Sequence, residues 1–158
     1  MSASTLRRME KEDLEAVAAV ERDCFPDPWS FRLLSDLLTS AYDSVFVLLE
    51  EGKLTGYVNV RILGEEAELM RIAVRRASRG KGFGKKLLRF GMREMLARGA
   101  VMATLEVRAG NLPAVRLYEA HGFLPEGRRK HYYENPVEDA VLYWNRNLCT
   151  WKEEVLDA

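Results

Sequence analysis

The string Arg79-Gly80-Lys81-Gly82-Phe83-Gly84 sets three glycines at alternate positions, with basic side chains at Arg79, Lys81 and Lys85. Glycines let a backbone curl until several N–H groups converge on one point, and a helix that starts there adds the positive end of its dipole. Such a place holds a phosphate without help from any side chain. It is not the loop of a nucleoside-triphosphatase, because Gly84 is followed by Lys85 and Lys86 instead of Lys-Ser/Thr. It is a poor dinucleotide fingerprint too, since the spacing is Gly80-x-Gly82-x-Gly84 and the acidic residue of a parallel strand–helix–strand unit is missing. The residues alone leave two readings, a phosphate cradle or a basic turn with no ligand.

A second chemical stretch is Leu105-Glu106-Val107-Arg108. On a strand, Thr104, Glu106 and Arg108 share one face and Leu105 and Val107 the other. Core-facing neighbours put Glu106 either at a cleft or on an exposed sheet face. Asn111 and Tyr118 lie seven residues apart, about two turns along one helix face. Tyr118 there reads as a site residue or as a half-buried packing aromatic. Two cysteines and two histidines have no metal-ligand spacing, and neither Cys24 nor Cys149 has a paired histidine motif, so no metal is expected and no thiol nucleophile stands out.

The elements that must position these residues follow from periodicity. The chain has 158 residues, enough for one domain with a real core. Strands are expected at 5–9, 45–50, 54–63, 67–74, 102–107, 124–133 and 139–147, helices at 10–25, from Ser30 onward, from Phe83 to about Gly99, and from Asn111 to His121. Residues 151–158 read as a charged tail, a short helix or a frayed end. No apolar run approaches the ~20 residues of a membrane span, and the N-terminus lacks the apolar core of a secretory signal, which together suggest a reduced, cytoplasmic setting. Net charge is zero, yet it is unevenly spread. From Arg71 to Arg98 ten basic residues face one acidic, a net +9, and the rest of the chain carries −9. That division suggests an anion held in one region and a cation met in another.

Arg79-x-x-Gly82-x-Gly84, followed by Asn111-x-x-Ala114-x-x-Leu117-Tyr118-x-x-x-Gly122-Phe123, strongly resembles the GCN5-related N-acetyltransferases, and the likeness runs from about Thr5 to Asn147. Within that family the chain looks closest to the RimI-type branch, whose members acetylate the N-terminal alanine of a small-subunit ribosomal protein. Phe25-Pro26-Asp27-Pro28-Trp29-Ser30, Ile72-Ala73-Val74, Leu105-Glu106-Val107-Arg108 and Tyr132-Tyr133 carry that likeness; Arg71 and His131 depart from it, standing where many relatives have Asn. The resemblance implies an α/β fold, a mixed and mostly antiparallel seven-stranded sheet flanked by about four helices. It implies a single domain over residues 1–147 with a charged tail at 148–158. Acetyl-CoA would be the cosubstrate. Backbone groups of Ile72, Ala73 and Val74 would hold its pantetheine and thioester, and Arg79, Gly80, Lys81, Gly82, Phe83, Gly84 and Lys85 its pyrophosphate. Asn111 and Tyr118 would also contact it. Glu106 would be the general base and Tyr118 the acid to the leaving thiolate, with direct attack in a ternary complex. The loop at 25–29 would border the acceptor groove. Tyr132 and Tyr133 alternate on a strand, so one is expected to pack and the other to line that groove.

The acceptor follows from a magnitude. A terminal α-amine, with a pKa of about 8, costs roughly 1 kcal/mol to neutralise near pH 7, against about 4.6 for a lysine. A lone glutamate therefore suits a protein or peptide N-terminus, in the RimI-type case a ribosomal protein's. A lysine or a small amine remains the alternative acceptor. A polyanion-binding module built on the basic helix is the reading from another class. Zero net charge and the absence of a nucleic-acid motif speak against that reading and against direct nucleic-acid binding.

Overall fold

A computed structural model describes residues 3–156. Seven strands form one sheet: β1 (Ser4–Arg8), β2 (Asp43–Glu50), β3 (Lys53–Leu63), β4 (Glu66–Val74), β5 (Met102–Arg108), β6 (Leu124–Tyr133) and β7 (Glu138–Asn145), in the order β1-β2-β3-β4-β5-β7-β6. Every neighbouring pair is antiparallel except β4 and β5. Among the described residues five helices accompany it: α1 (Leu14–Cys24), α2 (Phe31–Leu37), α3 (Phe83–Ala97), α4 (Leu112–Glu119) and α5 (Lys152–Leu156), the last being the short helix that the tail allows.

The sheet separates two cores. Val45, Val47 and Tyr57 point to α1 and α2, while Phe46, Leu48, Val58 and Val60 point to α3. Burial on both faces explains why β2 reads as a continuous apolar run, not an alternating one. Ser30 caps α2, its hydroxyl accepting from the Leu33 amide at 3.1 Å. Gly91 lets α3 lie close on β3, where a Cβ would meet Val60 Cγ1 at 3.0 Å.

The parallel pair positions the site. β4 and β5 pair only from Glu66↔Met102 to Glu68↔Thr104 and then part. Just beyond that point the register of β3 on β4 shifts, Val60 facing Leu69 and Asn59 facing Arg71, so Met70 is an extra residue in the ladder. Such a bulge bends and twists a strand. It falls where β4 leaves β5, and a gap opens between them.

The end of the chain is not frayed where it is described. Leu148 and Val155 are fully buried in the α3-side core, and Trp151 lies 5.8 Å from the His121 ring. Residues 157–158 lie outside the described residues. Leu148→Ala is expected to lower unfolding free energy by about 2–5 kcal/mol. Urea titration checks this, and an unchanged midpoint is the result expected of a loose tail.

Candidate active site

A cleft of about 430 Å³ occupies the gap between β4 and β5. Its floor is β4 from Glu68 to Ile72, and its walls include Phe25 and Trp29 on one side and Tyr132 and Tyr133 on the other. A shallower cavity of about 560 Å³ on the outer side of α1, lined by Glu15, Arg22, Trp29 and Phe31 among others, contains none of the expected catalytic or cosubstrate residues.

Glu106 and Tyr118 both reach the β4–β5 cleft, from opposite faces of the sheet. Leu105 and Val107 pack into the α3-side core, so the alternation of β5 sends Glu106 to the α1 side. Tyr118, on α4, belongs to the α3-side core and meets Phe123 edge-on at 6.1 Å. The gap alone brings the two together. Tyr118 is 5% exposed, and its hydroxyl has no hydrogen-bond partner among the described residues. Burial, and next to it Tyr133, push its pKa above the ordinary tyrosine value, which keeps it protonated at neutral pH. Tyr133 is pushed up to about 12, by burial first and then by the charge of Glu106. Among the described residues Glu106 pairs with Arg129, at 3.4 Å at the rim.

Glu68 joins this face. It lies beside Thr104 in the parallel ladder and thus on the same side as Glu106. Burial, and next to it the charge of Glu106, hold its carboxyl above the usual range. It makes no ion pair or hydrogen bond among the described residues. Its place on this face depends on which strand lies beside β4, which one strand's pattern does not disclose.

The stretch expected to hold the cosubstrate divides by function. The Val74 carbonyl accepts from Arg79 Nε at 3.0 Å and Cys24 Sγ at 3.3 Å, whereas the Arg75 amide donates to Thr55 on β3. Strand alternation then turns the amides of Ile72 and Val74 to the open edge and that of Ala73 to β3, opposite Tyr57. Gly80 and Gly82 have φ of 80° and 82°, a left-handed conformation that excludes most side chains. Gly82 caps α3 without any side-chain partner, so the first amides of that helix are unsatisfied from within it. Gly84 meets α4, where an added Cβ would touch Leu117 at 3.7 Å. Phe83 is buried in the core and offers the loop only its backbone. Lys85 is exposed. Asn111 caps α4, its side-chain oxygen accepting from the Ala114 amide at 3.4 Å. An open strand edge and a glycine turn ahead of a helix could hold a pantetheine arm and a pyrophosphate.

Much of the +9 stretch, however, is spent within the fold. Lys81 pairs with Glu50 at 2.8 Å, Arg71 with Glu21 at 2.8 Å and Arg89 with Glu154 at 3.4 Å, while Arg76 binds Asp23 and Arg98 binds Ser44 and the Ala41 carbonyl. An anion at the glycine turn would meet mainly backbone amides, with Arg79 and Lys85 nearby. The partners are distant in sequence, so a local charge count overstates the field.

The tyrosine wall is held by an arginine. Arg108 donates to the carbonyls of Glu134 and Pro136, pairs with Glu138 at 3.4 Å and lies 4.5 Å from the Tyr133 ring centroid. Simple alternation fails at Tyr132 and Tyr133, because β6 is irregular between Arg129 and Tyr133 and His131 has a φ of 51°. Both tyrosines consequently reach the cleft. His121 is structural, as its place at a helix end suggests. Its Nδ1 lies 2.8 Å from the Leu117 carbonyl and its Nε2 accepts from Arg89 at 3.1 Å.

Among known proteins, the chain is 33% identical over 142 residues to a Bacillus subtilis relative, covering 89% of this chain and 94% of that one. It is 32% identical over 141 residues to the ribosomal protein bS18-alanine N-acetyltransferase of Escherichia coli K12, covering 88% of this chain and 95% of that one. The crystal structure of the ribosomal-protein-S18-alanine N-acetyltransferase from Escherichia coli superposes with a TM-score of 0.83 at 30% identity, over 90% of this chain and 92% of that one. The acetyltransferase (GNAT) family matches residues 14–123, which include the open β4 edge, the glycine turn and both Glu106 and Tyr118. With a cleft, a sheet and a sequence all agreeing, the chain belongs to the GNAT family and is an N-acetyltransferase.

Proposed function

We propose that this protein acetylates the N-terminal α-amine of a protein that begins with alanine, a ribosomal protein as in its named relatives, with acetyl-CoA as the donor. One observation carries the reading. The β4–β5 gap joins two approaches, a glycine-turn side where Tyr118 sits and a carboxylate-bearing side where Glu106 and Glu68 sit. Donor and acceptor enter from opposite faces and meet at the gap, which suits direct attack in a ternary complex.

Glu106 takes the proton of the incoming amine, directly or through one water. The amides of Ile72 and Val74 bind the pantetheine arm and thioester, with preorganised donors that carry no net charge. Glycine-turn amides, Arg79 and Lys85 take the pyrophosphate side. Tyr118, held protonated by burial, gives its proton to the departing sulfur. Cys24 is a poor nucleophile for a two-step route. Burial pushes its thiol pKa up and its Sγ donates to Val74.

Glu68 supplies a second negative charge that draws an ammonium to the gap. Its raised pKa means that the charged form is disfavoured by the fold, a cost present above the unfolded carboxyl pKa and absent below it. Glu68→Gln is therefore expected to raise thermal stability at pH 7, to lose that advantage below about pH 4, and to raise acceptor KM. Melting curves at both pH values and acceptor titrations check the combination; lower stability at pH 7 is the contrary result.

The test of function is acetyl-CoA turnover on a basic peptide beginning with alanine, beside the same peptide with a blocked N-terminus and beside spermidine. Turnover should require the free α-amine. Rapid acetylation of spermidine with none of the peptide would refute the reading.

A further inference from the structure

We infer that Arg71 is a positioning residue that sets the acceptor wall of the cleft, an inference that rests on the acceptor side proposed above. Glu21, on α1, is fully buried and accepts four hydrogen bonds: Arg71 Nε at 2.9 Å, Arg71 Nη2 at 2.8 Å, the Trp29 amide at 2.7 Å and the Tyr57 hydroxyl. The same guanidinium lies 3.5 Å from the Phe25 ring centroid and 4.7 Å from that of Trp29, and its Nη2 reaches the Asp27 carbonyl at 3.5 Å.

One side chain on β4 therefore grips Phe25, Asp27 and Trp29, which all line the cleft. The segment between α1 and α2 has no regular hydrogen-bonded structure from Phe25 to Ser30. Pro26 and Pro28 lack amide hydrogens, so few backbone bonds are available to hold it. Planarity explains why arginine serves here: the fork engages both carboxylate oxygens of Glu21 while the flat face stacks on the rings. A lysine keeps the charge and loses both contacts. Glu21 neutralises the guanidinium, so Arg71 shapes the wall without lending the acceptor site a free positive charge.

The test uses the full chain with Arg71→Lys and with the doubly neutral Arg71→Met/Glu21→Gln, which leaves no buried charge unpaired should a single replacement fail to fold. Hydrogen exchange without acceptor reads the wall itself. The Trp29 amide, which donates to Glu21, should exchange about tenfold faster or more, with α3 and β5 unaltered. In turnover, acceptor KM should rise about tenfold while acetyl-CoA KM stays within about twofold, because misplacement touches one substrate only. Arg71→Lys should be the milder of the two. Unchanged exchange at Trp29 overturns the inference, as does faster exchange throughout with both KM values rising together. If wild type fails to acetylate the alanine peptide, the functional reading falls, and the exchange result alone then decides the role of Arg71.

Discussion

Glu106→Gln should lower kcat by about 100- to 10,000-fold, the range in which a positioned base contributes. The replacement keeps shape and hydrogen-bonding reach and removes only basicity. Its fold should be intact, because the ion pair lost is with Arg129, whose side chain is 58% exposed, and such rim pairs are worth little. Acetyl-CoA binding should be unaffected, since the glycine turn and the β4 edge lie on other elements. A further effect follows from the neighbouring carboxyl. The charge of Glu106 helps to hold Glu68 above the usual range, so its removal should bring Glu68 down toward an ordinary value. Steady-state kinetics against pH, with a binding titration of acetyl-CoA, checks all three. Wild-type kcat in this variant would remove Glu106 from the chemistry.

Tyr118→Phe should lower kcat by about 100-fold, near the small end for proton transfer. The leaving thiol has a pKa near that of cysteine, about 8.5, and departs more readily than an alkoxide would, so less help is needed. The ring should still pack on Phe123. Because the hydroxyl has no partner among the described residues, stability should hold or rise slightly. Loss of rate without loss of stability distinguishes a proton donor from a packing aromatic. In the wild type, ionisation of Tyr118 should not limit the rate until above pH ~10, the ordinary tyrosine pKa, because the folded-state value lies higher. A rate that falls as pH rises through 8 to 9 with unchanged acetyl-CoA binding, and does so only in the protein retaining Tyr118, would contradict this.

Local signals carried a large share of the fold. Periodicity located every strand of the sheet to within a residue or two, and the glycines at 80 and 82 marked left-handed positions that no other common residue takes as easily. Motifs that span one strand and one helix single out Glu106 and Tyr118, and both line the cleft. What escaped depends on contacts between residues far apart. Arg71 and Glu21 are separated by 50 positions, and Lys81 and Glu50 by 31, so neither pairing appears in a local charge pattern. Glu68 acquires its meaning from a parallel neighbour, and strand partnership is not written in either strand. Alternation puts Tyr132 and Tyr133 on opposite faces, which an irregular β6 overrides. The segment after Leu148 was read by its charges, although Leu148 and Val155 are the residues that anchor it.

The most direct measurement is to incubate wild-type protein with acetyl-CoA and a peptide that begins with alanine and carries an internal lysine, and then to locate the acetyl group by fragmentation mass spectrometry. The account predicts acetylation of the alanine α-nitrogen, with the lysine unmodified. Acetyl on the lysine ε-nitrogen alone, or an unmodified peptide under conditions where a small amine is acetylated, would contradict it.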